Sequence, residues 1–311
     1  MAFDADMRTD RLRLKRWVSI WRALFILAAL AVAIVLLNRT GLSTGDRIER
    51  LVVDGVITEN RERDEALKKL ADDPKVKALL VVIDSPGGTV VGGEALYERL
   101  RMVSAKKPVV TVMGTVAASA AYMTAIAADR IYARQGTLTG SIGVIMQTAD
   151  VTGLLTKLGI STEAIKSAPL KATPSPLEPM TDEVRAAARK VIDDMFNMFV
   201  SMVAERRSLS REKALELADG RVFTGRQALD LGLIDAIGGE EQAKLWLVEK
   251  DPAMKDLPVQ NLSIPDPEDD SWPAGRAFSW VLNRIFNEKT QISERVTLDG
   301  LVSVWHPNLR P

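Results

Sequence analysis

Residues 78–88 read ALLVVIDSPGG, and residues 108–119 read PVVTVMGTVAAS. Each opens on a short, unbroken apolar run, the pattern of a strand covered on both faces, and each passes into a glycine-containing turn. Residues 90–103 between them read as a helix. Working outward, residues 51–57 are a strand candidate. Residues 61–72 read as a helix with Ala66, Leu67, Leu70 and Ala71 on one face. Downstream, residues 117–128 form a small-residue helix pattern, and residues 130–133 and 142–146 read as strands separated by the loop 136–141. Strands alternating with helices predict an α/β domain with a layered, largely parallel sheet. After Pro179 the pattern changes to appended helices over 181–207, 210–218 and 224–231.

Composition excludes several chemistries. In 311 residues, Lys plus Arg and Asp plus Glu are balanced at 41 each, so no global field points to nucleic acid. There is no cysteine, which removes disulfides, thiolate catalysis and cysteine metal sites. The single histidine, His306, lies in a tail-like context between Trp305 and Pro307. Neither a Ser-His-Asp triad nor a histidine metal cluster is expected, and no cofactor is called for. Acid–base work near neutral pH then falls to Lys, Asp, Glu or Tyr.

The ends of the chain have their own character. Residues 23–37, ALFILAALAVAIVLL, extend upstream through residues 18–21, interrupted near that end by Arg22, to a segment over 17–38 of the length a bilayer crossing needs. Arg8, Arg11, Arg13, Lys15 and Arg16 precede it, which by the positive-inside rule keeps residues 1–16 cytoplasmic and exports the remainder of the chain. The expectation is a single-pass anchor in the cytoplasmic (inner) membrane; a cleaved signal peptide is the alternative, but no A-x-A site comes after the run. Residues 39–47 read as a linker, 48–261 as the folded domain, and 262–311 as a C-terminal extension. In that extension, 275–287 has the pattern of an amphipathic helix that either packs on the core or lies on a membrane.

Chemistry concentrates at the two turns. Open α/β sheets place ligand sites at the carboxyl ends of their strands, and both turns sit there on consecutive strands. Gly87-Gly88 lets backbone N–H groups approach a substrate without an intervening Cβ. Ser119 is delivered to a helix start, where free N–H groups favour an oxyanion. A lone serine at a helix start is ordinarily a cap, and a lone PGG ordinarily a turn. Together they read as an acyl-transfer site with Ser119 as nucleophile and the N–H groups of Gly88 and Ala120 as oxyanion donors.

The motifs Asp84-Ser85-Pro86-Gly87-Gly88, 117–122 (AASAAY), 137–144 (TLTGSIGV) and 218–225 (ADGRVFTG) resemble, in consistent order over residues 47–250, the signal peptide peptidase SppA family in its short, single-repeat form. The resemblance implies a ClpP/crotonase-like fold and a Ser/Lys dyad peptidase that forms ring-shaped homo-oligomers. On the family's motifs, Ser119 matches the nucleophile and Lys171, downstream of Ile165-Lys166-Ser167, matches the general base. Lys166 is the competing candidate. Ser141 is the match for a serine that orients the lysine amine. The dyad can be completed within one chain or between neighbours. One departure is that Ala120 and Ala121 replace a family glycine pair; alanine keeps the backbone N–H but adds methyl groups to the cleft.

A lysine with a pKa of about 10.4 works as a base near pH 7 only when desolvated, and a hydroxyl such as Ser141 can hold the neutral amine without adding negative charge. The implied activity is cleavage of apolar, membrane-derived peptides such as signal-peptide remnants. Two other readings are a non-catalytic SppA-like assembly or scaffold protein and a crotonase-like acyl-CoA enzyme. An exported domain argues against the last, because CoA is cytosolic.

Overall fold

The computed structural model describes residues 45–264, the backbone of Leu301–Val304, and, in the N-terminal segment, Trp17 and residues 20–22 and 24–27. The chain divides into two units, Met1–Gly45 and Asp46–Pro311. Apart from Gly45, the described residues of the first unit are helical, with Trp17, Trp21 and Phe25 exposed. No helix among the described residues is long and apolar enough to cross a membrane. The rest of 17–38, the 275–287 helix and His306 lie outside the described residues.

The second unit is built on a parallel-rich sheet. β1 (Arg47–Ile57), β2 (Val76–Thr89), β3 (Val109–Ala118), β4 (Arg130–Ala133) and β8 (Ala236–Ile237) pair in parallel, each with the next, and β9 (Val259–Asn261) pairs in parallel with β1. The helices α1 (Arg61–Asp72) and α2 (Val90–Ser104) form the crossovers between these strands. On β2, Leu79, Val81 and Ile83 enter one apolar cluster with Leu67, Leu96, Tyr122 and Phe199. Ala78 and Leu80 enter a second, with Val110, Trp246 and Leu247. Alternate side chains therefore face opposite layers, which is why β2 reads as a continuous apolar run rather than an alternating one. Each fully buried Leu, Ile or Val contributes roughly 1.5–3 kcal/mol.

Three expectations are corrected. The turn expected at 84–88 is part of β2, which runs on to Thr89 because β1 accompanies it through a register shift between Asp54 and Val56. The small-residue helix does not start at 117. β3 continues to Ala118, leaving only the six-residue α3 (Ala120–Ala125). The strand expected over 142–146 is confined to β6 (Ile145–Met146), while β5 (Leu138–Gly140) forms inside the predicted loop. Farther along, α4 (Thr152–Lys157), α5 (Asp182–Arg207), α6 (Arg211–Leu217), β7 (Val222–Thr224), α7 (Gly225–Asp230) and α8 (Glu240–Lys250) complete the unit. α8, which the sequence pattern did not announce, closes the second layer with Ala243, Trp246 and Leu247.

Candidate active site

Ser119 stands at the corner between β3 and α3 with φ 60° and ψ −122°. A non-glycine residue in such a conformation costs about 1–3 kcal/mol and persists only where its surroundings over-determine it. Here they do. The Ser119 N–H donates to Gly140 O on β5 at 2.8 Å, and its carbonyl accepts from Met123 N at 2.9 Å. The residue is thus bound into the sheet on one side and into the first helical turn on the other. Strand, strained serine, helix is the geometry by which a nucleophilic hydroxyl is presented at a sharp turn. The side chain does not cap α3 and the residue is only 2% exposed, so the ordinary cap reading fails for it.

All of α3 is buried, which explains its small residues. The N–H groups of Ala120 and Ala121 lie in the first turn, where a helix supplies no acceptor. A helix this short contributes donors rather than a long-range dipole field. At its far end Arg206 of α5 donates to the carbonyls of Ile126 (2.9 Å) and Ala128 (3.0 Å), and the Tyr122 hydroxyl donates to Leu233 O at 2.9 Å. Burial pushes the Tyr122 phenol well above its usual value, so it stays neutral and serves as a structural donor.

The neighbouring Pro-Gly-Gly segment is held as firmly. Ser85 Oγ donates to Gly55 O at 2.6 Å and accepts from Gly87 N at 3.1 Å. A Cβ on Gly88 would lie 1.8 Å from Ile57 O, so only glycine lets β1 pass this close. Asp84 accepts from Val116 N at 3.0 Å, tying this segment to the approach of Ser119. Thr137 and Thr139 donate to the carbonyls of Gly114 and Ala117, both at 2.7 Å. These four hydroxyl and carboxyl groups lie in the motifs quoted above, but the sequence assigned none of them a role. Short polar side chains just past strand ends were the available signal.

Ser141 comes directly after the carbonyl that holds Ser119. It has φ 49° and donates its N–H to Arg221 O at 2.8 Å. β5 pairs antiparallel with β7, Gly140 opposite Val222, and a Cβ on Gly140 would come within 2.6 Å of the Phe223 ring. The 218–225 motif is therefore the buttress of the Ser141 loop. The structure brings Gly88, Ser119, Ala120 and Ser141 to one end of the sheet. It places Lys171 elsewhere in character, exposed on the segment 147–180, with its N–H bonded to Ala168 O at 3.0 Å. Lys166, the competing candidate, is ion-paired to Glu178.

A strained, buried serine beside backbone donors is an arrangement that suits acyl transfer, the chemistry of serine hydrolases. Comparison with known proteins narrows the class. The model of peptidase family S49 matches residues 101–253, a span that contains Ser119, Ser141 and Lys171 and begins after Gly88. A Synechocystis sp. protein named as a protease is 44% identical over 206 residues, covering 66% of this chain and 74% of that protein. An Enterococcus faecium protein named for signal peptide peptidase SppA is 31% identical over 277 residues, covering 85% and 78%. Protease 4 of Salmonella typhi is 32% identical over 215 residues, covering 66% of this chain and 35% of that protein. Among solved structures, a mutant of ClpP1 from Listeria monocytogenes aligns with TM-score 0.41 and 20% identity over 61% of this chain and 91% of that one. The chain belongs to peptidase family S49, and it is a serine peptidase.

Proposed function

We propose that the protein is a membrane-anchored endopeptidase of apolar peptides that works through a Ser119/Lys171 dyad. The observation that carries this is the strained corner at Ser119, held by Gly140 and Met123 rather than by a capping bond. In the acylation step the Ser119 hydroxyl gives its proton to the neutral Lys171 amine, and its oxygen bonds to the substrate carbonyl carbon. The N–H groups of Gly88 and Ala120 hold the resulting oxyanion. The C–N bond then breaks, the leaving amine takes the proton from Lys171, and an acyl-enzyme remains. Water, deprotonated by the same amine, releases the acid and restores Ser119. The role of Ser141 is to accept or donate one hydrogen bond that orients the Lys171 amine.

Two features support completion of the dyad between copies of the chain in a ring of ClpP/crotonase-like subunits. Lys171 is exposed. Around it the same segment leaves Leu154, Leu158, Ile160, Ile165 and Leu170 exposed, Ile165 at 99%. An apolar surface of that extent is covered by a partner in most proteins, and burial there would supply the desolvation a lysine base needs. The anchor rests on the apolar run of 17–38 and its basic flank, which would hold the domain on the outer face of the membrane beside apolar substrates. The test is cleavage of an apolar reporter peptide by the detergent-solubilised chain and by Ser119→Ala. Loss in the variant is expected; retained cleavage removes Ser119 as nucleophile.

A further inference from the structure

Consecutive backbone carbonyls at the far end of α3 are all taken by arginine. Arg206, in the last turn of α5, forks across Ile126 O, 2.9 Å from its Nε, and Ala128 O, 3.0 Å from its Nη2. Arg101 on α2 reaches the carbonyl between them, its Nη1 lying 3.2 Å from Ala127 O and 3.0 Å from Ser104 Oγ. Ser104 in turn donates to Asp129 Oδ1 at 2.6 Å, and the other oxygen of that carboxylate accepts from Val109 N at 2.8 Å, where β3 begins. The chain just past α3 is thereby fixed to α5, to α2 and to the strand that delivers Ser119.

The need for such a grip follows from α3 itself. Six residues are too few to hold a helix by their own hydrogen bonds, and AAYMTA offers only Tyr122 and Met123 as large side chains. At its near end stands Ser119, whose unfavourable backbone conformation relaxes if the bond from Met123 N to the Ser119 carbonyl lets go. A strained corner presses on whatever follows it, and α3 resists only if its far end is pinned. The pin is kept at an electrostatic cost. Burial lowers the Arg206 pKa, and the neighbouring charge of Arg101 lowers it further. What two partly buried, mutually repelling guanidiniums satisfy here is the set of carbonyls that a helix end leaves without donors. α5 also follows directly on the segment 147–180, so one helix joins the stretch carrying Lys171 to the turn carrying Ser119.

Resting on the reading of Ser119 as nucleophile, we propose that Arg206, with Arg101 beside it, is the positioning residue of the catalytic turn: by holding the carbonyls of Ile126, Ala127 and Ala128 it fixes α3 along its axis and so sets where the Ser119 hydroxyl and the Ala120 N–H meet the substrate carbonyl. Lysine cannot do the same, because an ammonium is a single point of donation where the guanidinium fork spans two carbonyls. A slip of α3 by ~1 Å costs on the order of 100-fold in rate. It leaves the substrate's binding surface in place, so the loss falls on kcat and not on KM.

The test is steady-state hydrolysis of an apolar reporter peptide by the detergent-solubilised full chain, expressed per folded molecule. Arg206→Lys keeps the charge and the apolar stem; Leu70→Ala, in the buried cluster on α1, is the control for lost stability alone. Arg206→Lys is expected to lower kcat by ~10–100-fold with KM within about twofold of wild type, while Leu70→Ala unfolds at lower temperature and keeps its kcat. Arg101→Lys, which frees one carbonyl, is expected to lower kcat by about 3–10-fold and carries the test if Arg206→Lys does not fold. A kcat per folded molecule equal to wild type in the lysine variants, or an equal drop in Leu70→Ala, overturns the inference. So does a raised KM at unchanged kcat, which would place Arg206 in substrate binding. Ser119→Ala separates the two readings. Cleavage retained in that variant removes the nucleophile and this inference with it, whereas cleavage lost there but undiminished in Arg206→Lys overturns this inference alone.

Discussion

Gly88→Ala tests how tightly the fold and the site share one backbone. A Cβ there would meet Ile57 O at 1.8 Å, Ile57 C at 2.5 Å and Ile57 N at 2.6 Å, all main-chain atoms that no rotamer change can move. The closest contact falls about 1.7 Å short of the ~3.5 Å at which such atoms pack. β1 and β2 must therefore separate locally, and overpacking of this kind costs about 1–3 kcal/mol or somewhat more. At about 2–4 °C per kcal/mol for a unit of this size, thermal unfolding should drop by ~2–12 °C. The same movement displaces the proposed Gly88 oxyanion donor, and a misplacement of ~1 Å costs on the order of 100-fold in rate. The assay pairs a thermal scan with hydrolysis of an apolar peptide, normalised to folded protein. Gly136→Ala is the control, since nothing lies within 4 Å of its added Cβ; it should stay within ~0.5 kcal/mol and keep full turnover. Wild-type stability and turnover in Gly88→Ala would refute both the packing argument and the donor role.

Other outcomes rest on the same geometry. Ser119→Gly and Ser119→Ala should both be inactive, but glycine accepts φ 60° without strain, so Ser119→Gly should be about 1 kcal/mol more stable by denaturant unfolding. Lys171→Ala should lower turnover by ~10²–10⁴-fold, whereas Lys166→Ala, which breaks only the pair with Glu178, should change it less than threefold in steady-state kinetics. Tyr122 keeps its proton in the fold while the unfolded chain loses it near pH 10. Its contribution is therefore complete below that pH and lost as pH rises through the raised folded value. Tyr122→Phe should flatten that alkaline decline in unfolding free energy, and should cost ~1–3 kcal/mol at pH 7 by leaving Leu233 O without its donor.

The strands and helices around the site were legible because their signals are local. The apolar run 78–83 lies inside β2, residues 130–133 form β4 and residues 61–72 form α1, since buried parallel strands and amphipathic helices write their periods into consecutive residues. Turn chemistry misled at 84–88 because the partner strand β1, thirty residues earlier, keeps that segment extended; a glycine pair chosen for close backbone approach looks the same in sequence as one chosen for a bend. β5 and β7 were invisible, being three residues each and defined by long-range pairing, β5 with β3 and β7 and β7 with β5. The position of Ser119 at the carboxyl end of its strand could be read from strand order, whereas Ser141 was reached only through the family resemblance, and the strain at Ser119 is set by Gly140 and Met123 and has no sequence signature. The strand at 301–304 is a long-range pairing of the same kind, and four residues carry too little periodicity to announce it.

The most direct measurement is mass-spectrometric mapping of a fluorophosphonate probe on the full chain and on Lys171→Ala. The account predicts a single adduct at Ser119, slowed about 100-fold or more in Lys171→Ala. An adduct on another serine, or labelling of Ser119 at an undiminished rate without Lys171, would contradict it.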